Sequence, residues 1–220
     1  MIASPLCPGF CPMAELKNWP FVGTCAIGLQ SLFLNRGGSQ DERNTAVEQI
    51  KDRSDAIEVR QEAWQPFCIY PEGTTTNGDY LFPFRRGAFS SMRTVQPTYI
   101  KIKGGDVHLT YSMIDILVLF LLLSSELSVR KATLYIMPPF KPNEAMLTKH
   151  ADKGKEDWQI YAWCVRDAIA KAGGFKKAEF PSYKERTDYC DFMNGRKDSI
   201  LVDGQEIRYE MQSSNSKKLD

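Results

Sequence analysis

The sequence predicts a single α/β domain, and two observations carry that expectation. Short apolar stretches closed by turn formers alternate with longer segments of near-helical period. The 220 residues, 43% hydrophobic and 11% aromatic, suffice for one sizeable core and are too few for two independent domains.

The elements follow in order. Residues 1–12 contain Pro5, Pro8 and Pro12 and read as an irregular connector, so the domain is expected over 13–193, with a polar tail over 194–220. Phe21 to Leu34 is mostly apolar, interrupted by Gly23 and Gly28, and its end, Ser31 to Leu34, reads as a short buried strand leading to Asn35-Arg36-Gly37-Gly38. From Asp41 to Gln65 charges are dense, while Ala46, Val47, Ile50, Ile57 and Val59 recur near helical period, predicting one or two amphipathic helices.

Phe67 to Tyr70 is a four-residue apolar strand stopped by Pro71, and Glu72 to Gly78 is rich in turn formers. Tyr99 to Lys103 and Ala132 to Met137 read as two further strands, ended by Gly104-Gly105 and Pro138-Pro139, with an apolar helix over Met113 to Ser125 between them. A last helix is expected over about Lys155 to Ala172. There Trp158, Tyr161, Ala162, Val165, Ile169 and Ala172 form a core-facing stripe closed by Gly173-Gly174. Ser213 to Asp220 has the composition of a disordered end.

Composition excludes several classes of function. Lys plus Arg number 28 against 27 Asp plus Glu, so no global charge excess points to nucleic acid, and any phosphate site has to be local. Six scattered cysteines in a chain of this size fit a reducing compartment. Cys7 and Cys11 have loose ligand spacing, but His108 and His150 are the only histidines and no second cysteine pair completes a zinc set, so no metal is expected. No basic stretch and apolar run mark a signal peptide. The longest apolar run, Ile116 to Leu123, falls short of the roughly 20 residues that span a bilayer.

The most informative stretch is Ile69-Tyr70-Pro71-Glu72-Gly73-Thr74-Thr75-Thr76-Asn77-Gly78, followed by Phe84-Arg85-Arg86-Gly87-Ala88-Phe89. It offers a carboxylate at a strand end, a glycine that admits a ligand to the backbone, three hydroxyls and two guanidinium groups. Arginine suits phosphate because its planar fork donates parallel charge-assisted hydrogen bonds, and glycine and threonine leave backbone N–H groups accessible. An ordinary turn beside a solvated basic pair is the alternative reading of the same residues.

These residues resemble the lysophospholipid and 1-acylglycerol-3-phosphate acyltransferases, the glycerophospholipid acyltransferase family. The family's Phe-Pro-Glu-Gly-Thr and Phe-Lys-x-Gly-Ala-Phe stand here as Tyr70-Pro71-Glu72-Gly73-Thr74 and Phe84-Arg85-Arg86-Gly87-Ala88-Phe89. Thr75-Thr76-Asn77-Gly78 is closer to the lysophosphatidylcholine and lysophosphatidylethanolamine branch than to the branch with arginine after the threonine. Lys17 to Gly23 through Phe33-Leu34-Asn35-Arg36 is similar to the second block, which ends in a phosphate-binding arginine, and Val95-Gln96-Pro97 to the fourth. Tyr111 to Asp115, Met137-Pro138-Pro139-Phe140, and Tyr161-Ala162 with Val165-Arg166 also look like this branch.

The resemblance implies a central, mostly parallel sheet flanked by helices, with the site at strand ends near Arg36 and Glu72. It implies acyl transfer from acyl-CoA, a co-substrate and not a bound cofactor, to the free hydroxyl of a lysophospholipid. By the same resemblance Arg36, Glu72, Gly73, Thr74, Arg85 and Arg86 would line the acceptor-phosphate site, with Gly87 permitting close backbone approach. For Arg36 an ion pair with Asp41, Glu42 or Glu48 stays open, and for Glu72 a plain turn cap. A membrane-associated protein on the cytosolic face of the endoplasmic reticulum is implied, with a membrane surface, and a complex of membrane proteins, as partners.

The chain departs from the family pattern at the catalytic motif. The family's general base is a histidine with an aspartate five positions on. Here Met113 follows His108 and Lys155 follows His150 at that spacing, so no catalytic residue is assigned. The motif would fall just before Met1, which makes the chain either part of an active enzyme or a silent scaffold or lipid-binding subunit. The Ile116 to Leu123 helix is expected to be buried in the core, or alternatively to enter the headgroup region of a membrane with one face.

Overall fold

A computed structural model describes residues 8–35, 39–73, 78–105, 116–125, 129–178, 188, 191–192, 196–202 and 205–208. The expectations for Arg36, Thr74, Tyr111 to Asp115, His108 and the 213–220 end lie outside the described residues. Helices and short strands alternate, as an α/β chain requires. The described residues fall into two compact units, one within Met1–Gly104 and Arg130–Ala178, the other within Gly105–Val129 and Glu179–Asp220.

In the first unit, strand β1 (Gly9–Phe10) pairs parallel with β2 (Phe67–Cys68). On the other side of β1 runs the extended segment 31–34. The amides of Leu32 and Leu34 donate to the Phe10 and Pro12 carbonyls, and the Ala14 amide donates back to Leu34, giving a parallel Met13–Leu34 bridge. Residues 9–10 therefore correct the expectation of an irregular connector. Proline disfavours strands because it lacks an N–H, but here Pro12 is required only to accept, through its carbonyl. The expected burial of Ser31 to Leu34 holds at its two ends, Ser31 and Leu34.

Short helix α1 (Val22–Gly28) connects these segments, and the charged region after them forms a single helix, α2 (Gln40–Glu58). Ser39 and Glu42 form a reciprocal capping box at its start, each side chain accepting from the other's backbone amide. Only Ile50 and Ala56 of α2 are fully buried. Ile50 joins Cys11 and Leu34 in a small core beneath the parallel strip. At its far end Asp55 accepts from Arg93 at 2.6 Å and Glu58 from the Thr94 amide at 2.7 Å, which tie the helix to the 93–95 segment.

Strand β3 (Tyr80–Leu81) follows, then a 3-10 turn at Arg86–Ala88 and strand β4 (Thr98–Lys103). Helix α3 (Ile116–Ser125) belongs to the second unit, after which β5 (Lys131–Ile136) returns to the first. A strand, a helix and a strand in sequence suggest a parallel crossover, yet β4 and β5 pair antiparallel from Thr98↔Ile136 to Lys103↔Lys131. The chain thus leaves and re-enters the pair at one end.

Helices α4 (Glu144–Lys149) and α5 (Asp157–Gly173) precede β6 (Lys176–Lys177), which pairs parallel with β3. The main core lies between α5 and the 81–89 segment: Leu81, Phe84, Phe89, Tyr161, Ala162, Val165, Ile169 and Ala170. The buried face of α5 is wider than the predicted stripe, taking in Ile160, Cys164 and Ala170, and Ala172 of that stripe is exposed. Gly174 caps the helix at φ +66, and the Phe175 amide reaches back to the Ala170 carbonyl.

Among the described residues the strands form four two-stranded sheets, two parallel and two antiparallel, and not one central sheet. The expected sheet is therefore seen only as short parallel pairs. The second unit holds α3 and the antiparallel pair β7 (Ser199–Val202) and β8 (Gln205–Arg208). In α3, Leu119 is buried whereas Val118, Phe120 and Leu121 are exposed. This corrects the expectation of a fully enclosed helix, since these three side chains reach solvent. No helix among the described residues is long and apolar enough to cross a membrane.

Candidate functional site

The site begins with the end of β2. After Cys68 the chain reaches Pro71 and turns, the Gly73 amide donating to the Tyr70 carbonyl at 3.1 Å. Gly73 takes φ +65, in the left-handed region that glycine occupies without steric cost. A second reason for glycine is contact: a Cβ here would stand 2.7 Å from Arg85 Nε and 2.9 Å from its Cδ. The Arg85 side chain thus lies directly on the Gly73 backbone. Across the same turn the Arg85 amide donates to the Pro71 carbonyl at 2.8 Å.

Glu72 is held by a different backbone group. Its Oε2 accepts from the Phe82 amide at 2.8 Å, and the side chain is half-buried. Burial pushes its carboxyl above the ordinary glutamate range, opposed by the Phe82 hydrogen bond and by the charge of Arg166. The structure therefore brings Glu72, Gly73 and Arg85 together. The cap alternative for Glu72 is met in part, since its partner is the amide of Phe82, beyond the turn.

The two arginines are presented by their neighbours. Phe84 and Phe89 are buried and stack at 5.9 Å, and Phe89 meets Tyr161 edge-on at 5.2 Å. With both phenylalanines anchored, Arg85 and Arg86 between them stay exposed. Arg86 opens the 3-10 turn and accepts from the Phe89 and Ser90 amides through its carbonyl. Gly87 faces α2, where Ile50 Cδ1 would lie 3.4 Å from an added Cβ. Its close approach in this structure is to a side chain.

Three more of the motif segments converge on one hydroxyl. Val95 and Phe140 exchange backbone hydrogen bonds at 3.0 and 2.7 Å, and the Met137 amide donates to Pro97 at 2.9 Å. Tyr161 Oη, fully buried, lies 2.8 Å from the Arg93 carbonyl and 2.9 Å from that of Phe140. Burial raises its phenol well above the usual tyrosine range, so it stays protonated and donates.

Sequence reasoning did not single out Arg166 for a role of its own. It is buried on the core face of α5, its Nη2 donating to the Leu81 carbonyl at 2.5 Å and the Ala178 carbonyl at 2.6 Å. A signal existed, because Arg166 sits four residues after Ala162 and three before Ile169, inside the apolar stripe. Of the histidines, His150 packs its ring 5.3 Å from that of Trp163, beside α4. Two clefts of about 340 and 370 Å³ run along α2, one of them under the Arg53–Trp64 stack, and neither is lined by Glu72, Gly73 or Arg85.

Residues 6–102 match the family described as Acyltransferase, a span that contains the whole Glu72–Gly73–Arg85 arrangement. Over these residues the chain is similar to the glycerophospholipid acyltransferases. It is 37% identical over 82 residues to Lysophospholipid acyltransferase LPEAT2 of Arabidopsis thaliana, covering 37% of this chain and 14% of that protein. To Lysophosphatidylcholine acyltransferase 1 of Rattus norvegicus it is 28% identical over 76% of this chain and 29% of the relative. To Lysophospholipid acyltransferase LPEAT1 of Arabidopsis thaliana it is 24% identical over 86% of this chain and 44% of the relative. The chain thus spans less than half the length of these relatives. No solved structure matches it significantly.

Proposed function

We propose that this chain carries the acceptor site of an enzyme that transfers a fatty acyl group from acyl-CoA to the free hydroxyl of a lysophospholipid. The observation that carries the reading is the Tyr70–Gly73 turn, closed against Arg85 with the Glu72 carboxylate held by the Phe82 amide. An exposed arginine is suited to a phosphate, which takes charge-assisted hydrogen bonds from its guanidinium, and the missing side chain at Gly73 is what lets that arginine seat on the turn. Arg86, Arg36 and Thr74 complete the set, the last two by resemblance.

In the reaction the acceptor hydroxyl attacks the thioester carbonyl, the C–S bond breaks, and CoA leaves as the thiol. The residues assigned here bind and orient the acceptor, and positioning of this kind lowers the barrier by removing the entropy of encounter. The hydroxyl proton passes to a general base that these residues do not supply. The head group in this reading is phosphocholine, phosphoethanolamine or the bare phosphate of lysophosphatidate. The exposed Val118, Phe120 and Leu121 of α3 support work at a membrane surface, which by resemblance is the cytosolic side of the endoplasmic reticulum. The parallel pairs β1–β2 and β3–β6 are read as parts of a mostly parallel central sheet.

A second reading, a catalytically silent lipid-binding or structural subunit of a membrane assembly, is favoured by one observation. Neither histidine is followed by aspartate at the family spacing. Release of free CoA from acyl-CoA and a panel of lysophospholipids separates the two. The purified chain is compared with the same chain carrying whatever its transcript encodes upstream. Turnover by either, lost in Glu72→Ala, supports the enzyme. No turnover by both, with lysophospholipid binding unchanged in Glu72→Ala, overturns it in favour of the silent subunit.

A further inference from the structure

Arg166 and Glu72 are joined through one peptide unit. The Leu81 carbonyl accepts from Arg166 Nη2 at 2.5 Å, and the amide on the other side of that same peptide bond, Phe82 N–H, donates to Glu72 Oε2 at 2.8 Å. We infer that Arg166 is a positioning residue for Glu72, acting through the Leu81–Phe82 peptide to fix the carboxylate's place and to face it with an opposite charge. The inference rests on the reading of Glu72 as part of the acceptor site.

The physical case has three parts. The peptide is planar, so its oxygen and its N–H point in opposite directions and turn together; fixing one end with a guanidinium fixes the donor that Glu72 accepts. A cation on the oxygen and an anion on the N–H polarise the group in the same sense, so each hydrogen bond strengthens the other. The second Nη2 bond, to the Ala178 carbonyl, anchors the guanidinium to the chain just beyond β6, so the group is held from two strands.

A strut between two carbonyls does not by itself account for the charge. Arg166 is 9% exposed, and its Nε is buried with no hydrogen-bond partner among the described residues. A neutral donor would bridge the carbonyls without burying an ion, and a buried ion is costly unless an opposite charge faces it. Glu72 is that charge: each group's titration is moved by the other, Glu72 down and Arg166 up, against the larger effect of burial. Arg85, whose side chain lies on the Gly73 backbone, is another cation next to this turn.

The test is a carboxyl carbon NMR titration of the ¹³C-glutamate-labelled chain, in which the Glu72 signal is identified by its loss in E72Q. In R166M the Glu72 midpoint is expected to rise by about one pH unit, the low end of what an opposite charge supplies, whereas R166K keeps it near that of the parent chain. Equal midpoints in R166M and R166K overturn the inference and leave Arg166 a strut. Should R166M fail to fold, R166M/E72Q decides: recovery of the fold supports coupling, and equal failure overturns it. Binding of a short-chain lysophosphatidylcholine, monomeric in solution, is measured alongside. If the parent chain does not bind it, the acceptor reading fails while the titration still judges the Arg166–Glu72 link. If it binds, R166M and E72Q are expected to weaken it alike, and the double variant no further.

Discussion

Helices α2 and α5 are nearly equal in length, 19 and 17 residues, and they are held in opposite ways. Two residues of α2 are buried, against nine of α5. The first is fastened by its ends, through the Ser39–Glu42 box and the Asp55–Arg93 and Glu58–Thr94 contacts. The second is fastened by its face, through Tyr161, Val165 and Ile169 packed on Phe84 and Phe89. The difference teaches where each half of the candidate site gets its rigidity. Gly87 rests on α2 through Ile50, while Glu72 is referred to α5 through Arg166 and the Phe82 amide.

Three substitutions probe the contrast. Phe89→Ala is expected to have the largest effect, about 3–5 kcal/mol of unfolding free energy by denaturant titration, because it opens a cavity against the buried Tyr161 ring. A cost below that of a lost helix cap would break the comparison at its stronger end.

Glu72→Gln acts on the pH profile. Desolvation raises the Glu72 carboxyl above its ordinary value, so between the two values the folded chain retains a proton that the unfolded chain has released. Its contribution to stability is full in acid and is lost as pH rises through the raised value. Denaturation midpoints from about pH 4 to about pH 8 are therefore expected to fall less steeply in the variant. An unchanged slope would mean that Glu72 is no more buried than the polar face of α2.

Ser39→Ala should have the smallest effect, about 0.5–1 kcal/mol, since it removes one cap hydrogen bond at an exposed helix start. Hydrogen exchange confined to the first turn of α2 would sharpen the picture of a helix held end by end.

Much of this architecture could be read from residue patterns. Helix α5 and strands β4 and β5 carry their own period and lie within about two residues of where it puts them, whereas α2 stops at Glu58, well short of the Gln65 at which the charged stretch ends. The pairing of strands was hidden, because two-residue strands such as β1 and β3 hold only through partners far along the chain, and local pattern contains nothing about distant partners. Pro8 and Pro12 masked β1 for the same reason, as each looks like a breaker until its ladder is known. At the site, turn chemistry at Pro71-Glu72-Gly73 made the loop legible. The seating of Arg85 on Gly73 and the link from Arg166 to Glu72 depend on which backbone groups meet across the core.

The parallel strip of the first unit has a consequence for how the chain assembles. Its middle member, residues 9–13, precedes both neighbours in sequence, and each later segment must come back to it, one after α1 and the other after the whole of α2. Closing the longer loop costs more chain entropy, and contacts of high sequence separation slow folding. The 31–34 side is therefore set to zip up first and to serve as the template on which β2 lands. The Tyr70–Gly73 turn follows directly from β2, so it is completed only when that late docking is done.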